Sequence, residues 1–181
     1  MDNKQPNFLW DYIFTSKDNN KKFDLFSFLK EIPFFEGLTN RQLKSLSLMI
    51  HERNYQENEF LFEHGHPGAA LFIIVKGDVS IEVPTDEGMT QVTTLTEKTF
   101  LGELALITNE PRTASARALV PTKCLALFRN DLAELVNSEP EIASHIYKSL
   151  SQIVGKRLIE TTKMINKLKK RDENHELKKS A

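Results

Sequence analysis

Residues 100–115 read Phe-Leu-Gly-Glu-Leu-Ala-Leu-Ile-Thr-Asn-Glu-Pro-Arg-Thr-Ala-Ser. Within this stretch Glu103 and Arg112 stand nine residues apart, and Gly102 to Ile107 can form a short helix between them. The free N–H groups at a helix start, with the positive end of its dipole, attract an anion. Arg112 adds a planar fork that suits two phosphate oxygens, each charge-assisted bond contributing on the order of 1.5–3 kcal/mol. A carboxylate beside a phosphate repels it unless the carboxylate faces a proton donor, and a sugar hydroxyl is such a donor. Phosphate and sugar held on one short loop describe a nucleotide whose phosphate lies next to its ribose. Gly102 lets the backbone approach closely, and Thr113 can give its hydroxyl to the phosphate or to the base.

Outward from this loop, the pattern between about Tyr55 and Arg129 is one of short apolar runs separated by turn residues. Phe60–Phe62, Leu71–Val75, Val79–Val83, Val92–Leu95, Ala114–Ala118 and Cys124–Phe128 suit pleated, half-buried surfaces. Gly65, Pro67, Gly68, Gly77, Pro84 and Gly88 lie between or beside them, where turns are needed. Many short strands at this spacing predict a mainly β fold, an antiparallel jelly-roll barrel.

Helices flank the strands. Leu25, Phe28, Leu29 and Ile32 have helical spacing, closed by Pro33. A second helix follows, capped by Thr39 or Asn40, with Leu43, Leu46 and Leu48 supplying much of its apolar face. After Asn130 a short helix runs through Val136, and Pro140 opens a long one, from Glu141 to about Arg171. On that helix Val154, Leu158, Thr161, Ile165 and Leu168 alternate at spacings of four and three. This stripe suits either a dimer seam or packing on the barrel. The division expected is an N-terminal extension (1–22), a β-barrel with leading helices (23–130), C-terminal helices (131–171) and a charged tail (172–181). The extension holds an aromatic cluster, Phe8 to Phe14, which either packs back on the domain or docks on a partner.

Composition narrows the possible functions. At 181 residues the chain fits one compact domain with an appendage. With 24 basic and 25 acidic residues the net charge is -1, so no general field draws it to nucleic acid or an anionic membrane, and any anion site must be local. Cys124 stands alone, which excludes an internal disulfide and a multi-cysteine zinc site and fits a reducing cytoplasm. In its strand-like run it reads as a small buried hydrophobe. No apolar run approaches the ~20 residues that span a bilayer, so a cytoplasmic protein with no membrane partner is expected. His64 and His66 flank a turn glycine, but no third ligand stands nearby, and a solvated turn is the simpler reading. No catalytic motif is present, and the chain is not expected to be an enzyme or to hold a metal or cofactor.

The string Gly102, Glu103, Leu104, Ala105, Leu106, then Pro111, Arg112 and Ala114, closely resembles the phosphate-binding cassette of the cyclic-nucleotide-binding domain family, Phe-Gly-Glu-Leu-Ala-Leu followed by Pro-Arg-x-Ala. Glu63 to Gly68, Leu71 to Val79 and the stretch Phe28 to Leu46 are similar to the family's early strands, glycine turn and opening helices. Leu101 replaces the usual phenylalanine, and Lys98 stands where a turn glycine is common. The resemblance implies a regulatory module that binds cAMP or cGMP, with cAMP favoured, and that moves its C-terminal helix against a protein partner or a second copy. It implies that Glu103 accepts from the ribose 2′-hydroxyl and Arg112 pairs with the phosphate. Gly102, Leu104 and Ala114 would give backbone N–H groups, Ala105 would sit in the cassette, and Thr113 would touch the phosphate while leaving the base open. Ser149, Gln152, Ile153 or Lys156 would cover the base. Transcription regulators of the cAMP-receptor type share this pattern, but the eleven residues from Arg171 onward leave no room for a helix-turn-helix, so no nucleic-acid binding by this chain alone is expected. A ligand-free scaffold is the remaining alternative, against which Glu103 and Arg112 argue.

Overall fold

The computed structural model describes residues 23–179, with side chains through Lys167. The N-terminal aromatic cluster and the side chain of Leu168 lie outside the described residues. Helix α1 (Leu25–Lys30), a 3-10 turn (Pro33–Phe35) and α2 (Asn40–Ser47) precede eight strands. These are β1 (His51–Tyr55), β2 (Phe60–Phe62), β3 (Ala70–Lys76), β4 (Val79–Thr85), β5 (Gly88–Leu95), β6 (Phe100–Leu101), β7 (Ser115–Ala118) and β8 (Thr122–Phe128). A 3-10 helix (Glu103–Leu106) lies between β6 and β7, and α3 (Arg129–Ser138) and α4 (Pro140–Lys179) complete the order.

Local chemistry explains the helix starts. The Asp24 carboxylate accepts from the amides of Phe26 and Ser27, at 3.1 and 3.3 Å, and Pro33 opens the following turn. Thr39, rather than Asn40, caps α2. Its hydroxyl accepts from the Gln42 amide at 3.3 Å while the Gln42 side chain accepts from the Thr39 amide at 2.9 Å. Asp131 reaches back to accept from the Phe128 amide at 3.1 Å and so holds the start of α3.

The strands form two four-stranded antiparallel sheets, ordered β1-β8-β3-β6 and β2-β7-β4-β5. Side-chain alternation explains how they pack. From β3 and β8, Ala70, Phe72, Ile74, Cys124 and Ala126 point between the sheets and meet Val79, Leu101, Ala116 and Ala118. The intervening Leu71, Ile73, Leu125 and Leu127 point the other way, into a second core with Leu29, Phe34, Leu46, Leu132, Ile142, Ile146 and Leu150 of the helical elements. The first sheet is therefore covered on both faces, which is why β3 is a continuous apolar run. Cys124 is fully buried between the sheets, and burial pushes its thiol up to about 12.

Four expectations need correction. Strand β1, His-Glu-Arg-Asn-Tyr, carried no apolar signal because it is an edge strand, paired only with β8 and mostly exposed. Leu48 follows the last residue of α2 and is 84% exposed, so the apolar face of that helix is Leu43 and Leu46 alone. Helix α4 continues to Lys179, beyond Arg171. Its stripe does not pack on the sheets: Leu158 is 65% and Ile165 47% exposed. Lys98 adopts the left-handed conformation, φ +64°, that a glycine would take, and its ammonium pairs with Glu31 at 2.6 Å. The turn before β6 is thus formed without the glycine.

These burials predict opposite outcomes for two neighbouring leucines. In urea unfolding, Leu46→Ala lowers stability by about 2–5 kcal/mol, whereas Leu48→Ala changes it by no more than about 0.5 kcal/mol.

Candidate functional site

A cavity of about 440 Å³ opens between the 3-10 helix, the segment leading into β7 and the inner face of the second sheet. All seven residues singled out in the cassette line it: Gly102, Glu103, Leu104, Ala105, Arg112, Thr113 and Ala114. Ile81, Leu95 and Phe100 add an apolar wall, and Thr93 a hydroxyl.

Arg112 lines this cavity and is itself buried. Its Nη2 donates to the Ala70 carbonyl at 2.8 Å and its Nη1 to the Gly102 carbonyl at 3.2 Å. The guanidinium carbon lies 4.0 Å from the centre of the Phe62 ring, a favourable cation–π distance. No carboxylate among the described residues forms an ion pair with it, and its Nε is buried without a partner. A buried cation in this position is under-compensated. Burial, with the nearby charge of Arg129, pushes its pKa down to about 10, and Glu103 and Tyr55 oppose that shift. It stays protonated at neutral pH and retains donors for an anion.

Gly102 is required here for a reason that lies within the protein itself. It adopts φ +76°, and a Cβ at this position would stand 2.6 Å from Arg112 Nη1 and 3.1 Å from the Ala70 carbonyl oxygen. The left-handed glycine also starts the 3-10 helix Glu103–Leu106. That helix is tied to α3: Arg129, the first residue of α3, donates from Nε to the Ala105 carbonyl at 2.7 Å, and its other nitrogens reach Asn109 and the Gly68 carbonyl.

Glu103 is buried, 3% exposed, yet lines the cavity. Its Oε1 accepts from Nη1 of Arg157, a residue of α4 that also lines the cavity and lies 5.9 Å from the Phe100 ring centre. Arg157 was missed by sequence reasoning. Ser149, Gln152, Ile153 and Lys156, the residues expected to cover the base, do not line the cavity, and Ile153 packs on the helical core instead. The signal was present in the periodicity: the buried face Ile142, Ile146, Leu150, Ile153 continues at position 157.

His64 and His66 are exposed, and among the described residues no group of three or more His, Cys, Asp or Glu side chains could hold a metal. No helix of the described residues is long and apolar enough to cross a membrane.

The model of the cyclic nucleotide-binding domain family matches residues 52–139, which include the cavity's cassette. The chain carries a cyclic nucleotide-binding domain. A protein of Rhodopseudomonas palustris, provisionally named a potassium channel protein, is 31% identical over 133 residues, 73% of this chain and 32% of that protein. The cGMP-dependent protein kinase 2 of Homo sapiens is 26% identical over 153 residues, 84% of this chain and 20% of the kinase. The chain thus spans no more than about a third of the length of these relatives. Among solved structures, the catabolite activator protein of Thermus thermophilus superimposes with a TM-score of 0.67 at 28% identity, over 75% of this chain and 62% of that one. Cyclic nucleotide-binding domains are ligand-binding modules, and the kinase similarity covers only a small part of that enzyme.

The geometry separates two glycines of similar backbone strain. A methyl group added at Gly65, where φ is +79°, would meet nothing within 4 Å, whereas one added at Gly102, where φ is +76°, would meet the Arg112 guanidinium. Both substitutions to alanine cost roughly 1–2 kcal/mol for the left-handed conformation. Gly102→Ala costs measurably more than Gly65→Ala in urea unfolding, because it also displaces a buried cation.

Proposed function

We propose that this domain binds a 3′,5′-cyclic purine nucleotide, in the first instance cAMP, and that binding changes the surface presented by α4. The observation that carries this reading is Arg112: a buried guanidinium with no carboxylate partner among the described residues and an unpartnered Nε, lining a cavity of about 440 Å³. A cyclic phosphate would supply the missing negative charge through charge-assisted bonds. Glu103, buried but open to the same cavity, is suited to accept from the ribose 2′-hydroxyl. The backbone of Gly102, Leu104 and Ala114 is proposed to donate to the phosphate. Ala105 belongs to the same lining, and the exposed hydroxyl of Thr113 faces the phosphate or the base. The wall of Ile81, Leu95 and Phe100 suits a purine ring. Thr113 is compatible with guanine as well as adenine, which keeps cGMP as the second ligand to test. No cofactor and no chemical step enter this reading. A cytoplasmic location fits a receptor for such a soluble ligand.

Calorimetric titration with cAMP, cGMP and their 2′-deoxy forms tests the assignment. Arg112→Ala weakens binding by about 2–5 kcal/mol, the usual cost of removing one partner of a buried charge pair. Glu103→Ala weakens the ribonucleotides far more than the 2′-deoxy forms. Retained affinity in the first variant, or equal losses in the second, refutes the corresponding role.

The exposed stripe of α4 supports a protein partner, and we propose a second copy of this chain. Leu158 and Ile165, both exposed, keep the spacing of a two-helix seam. In sedimentation the wild type is dimeric and the double variant Leu158→Lys, Ile165→Lys is monomeric; a monomeric wild type removes the proposal.

A further inference from the structure

We infer that the groove between α1 and α2 is a docking site for the chain's own aromatic segment, residues 8–14, with Trp10 on its apolar floor and Asp11 against its basic rim. This inference does not depend on what the cavity at Arg112 binds.

The groove, of about 900 Å³, combines two kinds of surface. Its floor is apolar: Phe23, Leu25 and Phe26 pack on the helical core yet are only partly buried, and they line the groove. Its rim is cationic. Arg41 and Lys44 line it and are exposed, and among the described residues neither enters an ion pair. Lys30 Nζ stands 4.6 Å from the centre of the Phe26 ring and Lys123 Nζ 4.5 Å from that of Phe23. The one acid of the lining, Asp24, is occupied in capping α1, where it accepts from the amides of Phe26 and Ser27 and from the Ser27 hydroxyl. The groove therefore suits an apolar, aromatic occupant that carries negative charge.

Residues 8–14, Phe-Leu-Trp-Asp-Tyr-Ile-Phe, have that chemistry: six aromatic or apolar side chains around a single charge, the carboxylate of Asp11. Covering them against the floor removes apolar surface of both from water. Proximity favours this occupant over a separate protein. Only Thr15 to Lys22 separate the segment from Phe23, which itself lines the groove. Fully extended, the chain from Phe14 to Phe23 spans up to roughly 30 Å, ample for the segment to turn back. A tether this short holds it at an effective concentration on the order of millimolar, so a competitor present at micromolar concentration must bind about a thousand-fold more tightly.

Trp10 is the only tryptophan, so the fluorescence of the full chain reports this segment alone. In wild type its emission is blue-shifted from that of free tryptophan and its quenching by acrylamide is several-fold weaker. Phe26→Asp, with unchanged circular dichroism, raises quenching towards the free value. Placement is read by cysteine pairs. Asp11→Cys with Lys44→Cys closes a disulfide within one chain on oxidation, which requires Cα atoms within about 7 Å. Asp11→Cys with Thr90→Cys does so far less, because β5 is the outer edge of the second sheet and the helices pack on the first. Cys124 is buried and does not compete. Should Phe26→Asp not fold, the cysteine pairs decide alone. Quenching of wild-type Trp10 as strong as that of free tryptophan, no change in a folded Phe26→Asp, or equal disulfide yields at the two positions overturns the docking. Covalent dimers in place of the intrachain product assign the groove to the segment of a second copy and overturn the intrachain occupant.

Discussion

The architecture around the cavity depends on one guanidinium placed where no acidic side chain of the described residues pairs with it. Arg112 is secured by main-chain carbonyls from β3 and from the turn at Gly102, and by the face of Phe62 in β2. It therefore touches both sheets and the start of the cassette at once. Main-chain acceptors carry only partial charge, so they orient the cation without neutralising it, and the unsatisfied Nε marks the direction in which compensation is missing. Leaving the cation in this state costs folding free energy, which a bound anion would recover.

Two more arginines extend this arrangement outward. Arg129 connects the carbonyls of Gly68 and Ala105 to the first turn of α3, and Arg157 connects Glu103 to α4. Each of the two C-terminal helices thus bonds the cassette through one guanidinium, beside the apolar packing of Leu106 in the helical core. Behind them the first sheet is fixed by packing on both of its faces, while the second sheet has apolar cover on its inner face only. The rigid half of the domain is the half that carries the helices. A displacement of the short 3-10 helix has two polar routes outward, and the dense core beneath it restrains other movement.

Much of this was legible in residues whose chemistry is local. Gly102, Glu103 and Arg112 were singled out from their spacing and all three line one cavity, and the turn residues between 65 and 88 separate runs that became strands. The failures share a physical cause, which is that tertiary contact overrides local pattern. β1 is polar because only its backbone is used, in the ladder with β8. Leu48 keeps the apolar spacing of α2 but falls just past its end. Arg157 was not singled out, although it continues the buried face of α4 by one turn. Its importance arises from a carboxylate 54 residues away, and that proximity is created only when the chain folds. The requirement for Gly102 was assigned to the ligand, whereas the nearer constraint is the protein's own arginine.

The length of α4 gives its attachment mechanical weight. Among the described side chains of this 40-residue helix, Ile153 is the last one packed in the core, so the remainder projects as a rod from that point. At 1.5 Å per residue the segment from Ile153 to Lys179 measures roughly 40 Å, and a tilt of only ~10° sweeps its far end through roughly 7 Å. Arg157 sits about one turn beyond Ile153, where the rod moves least and a single contact can set its angle. Any sub-ångström shift of that contact would thereby be geared up to several ångströms at the far end of the helix.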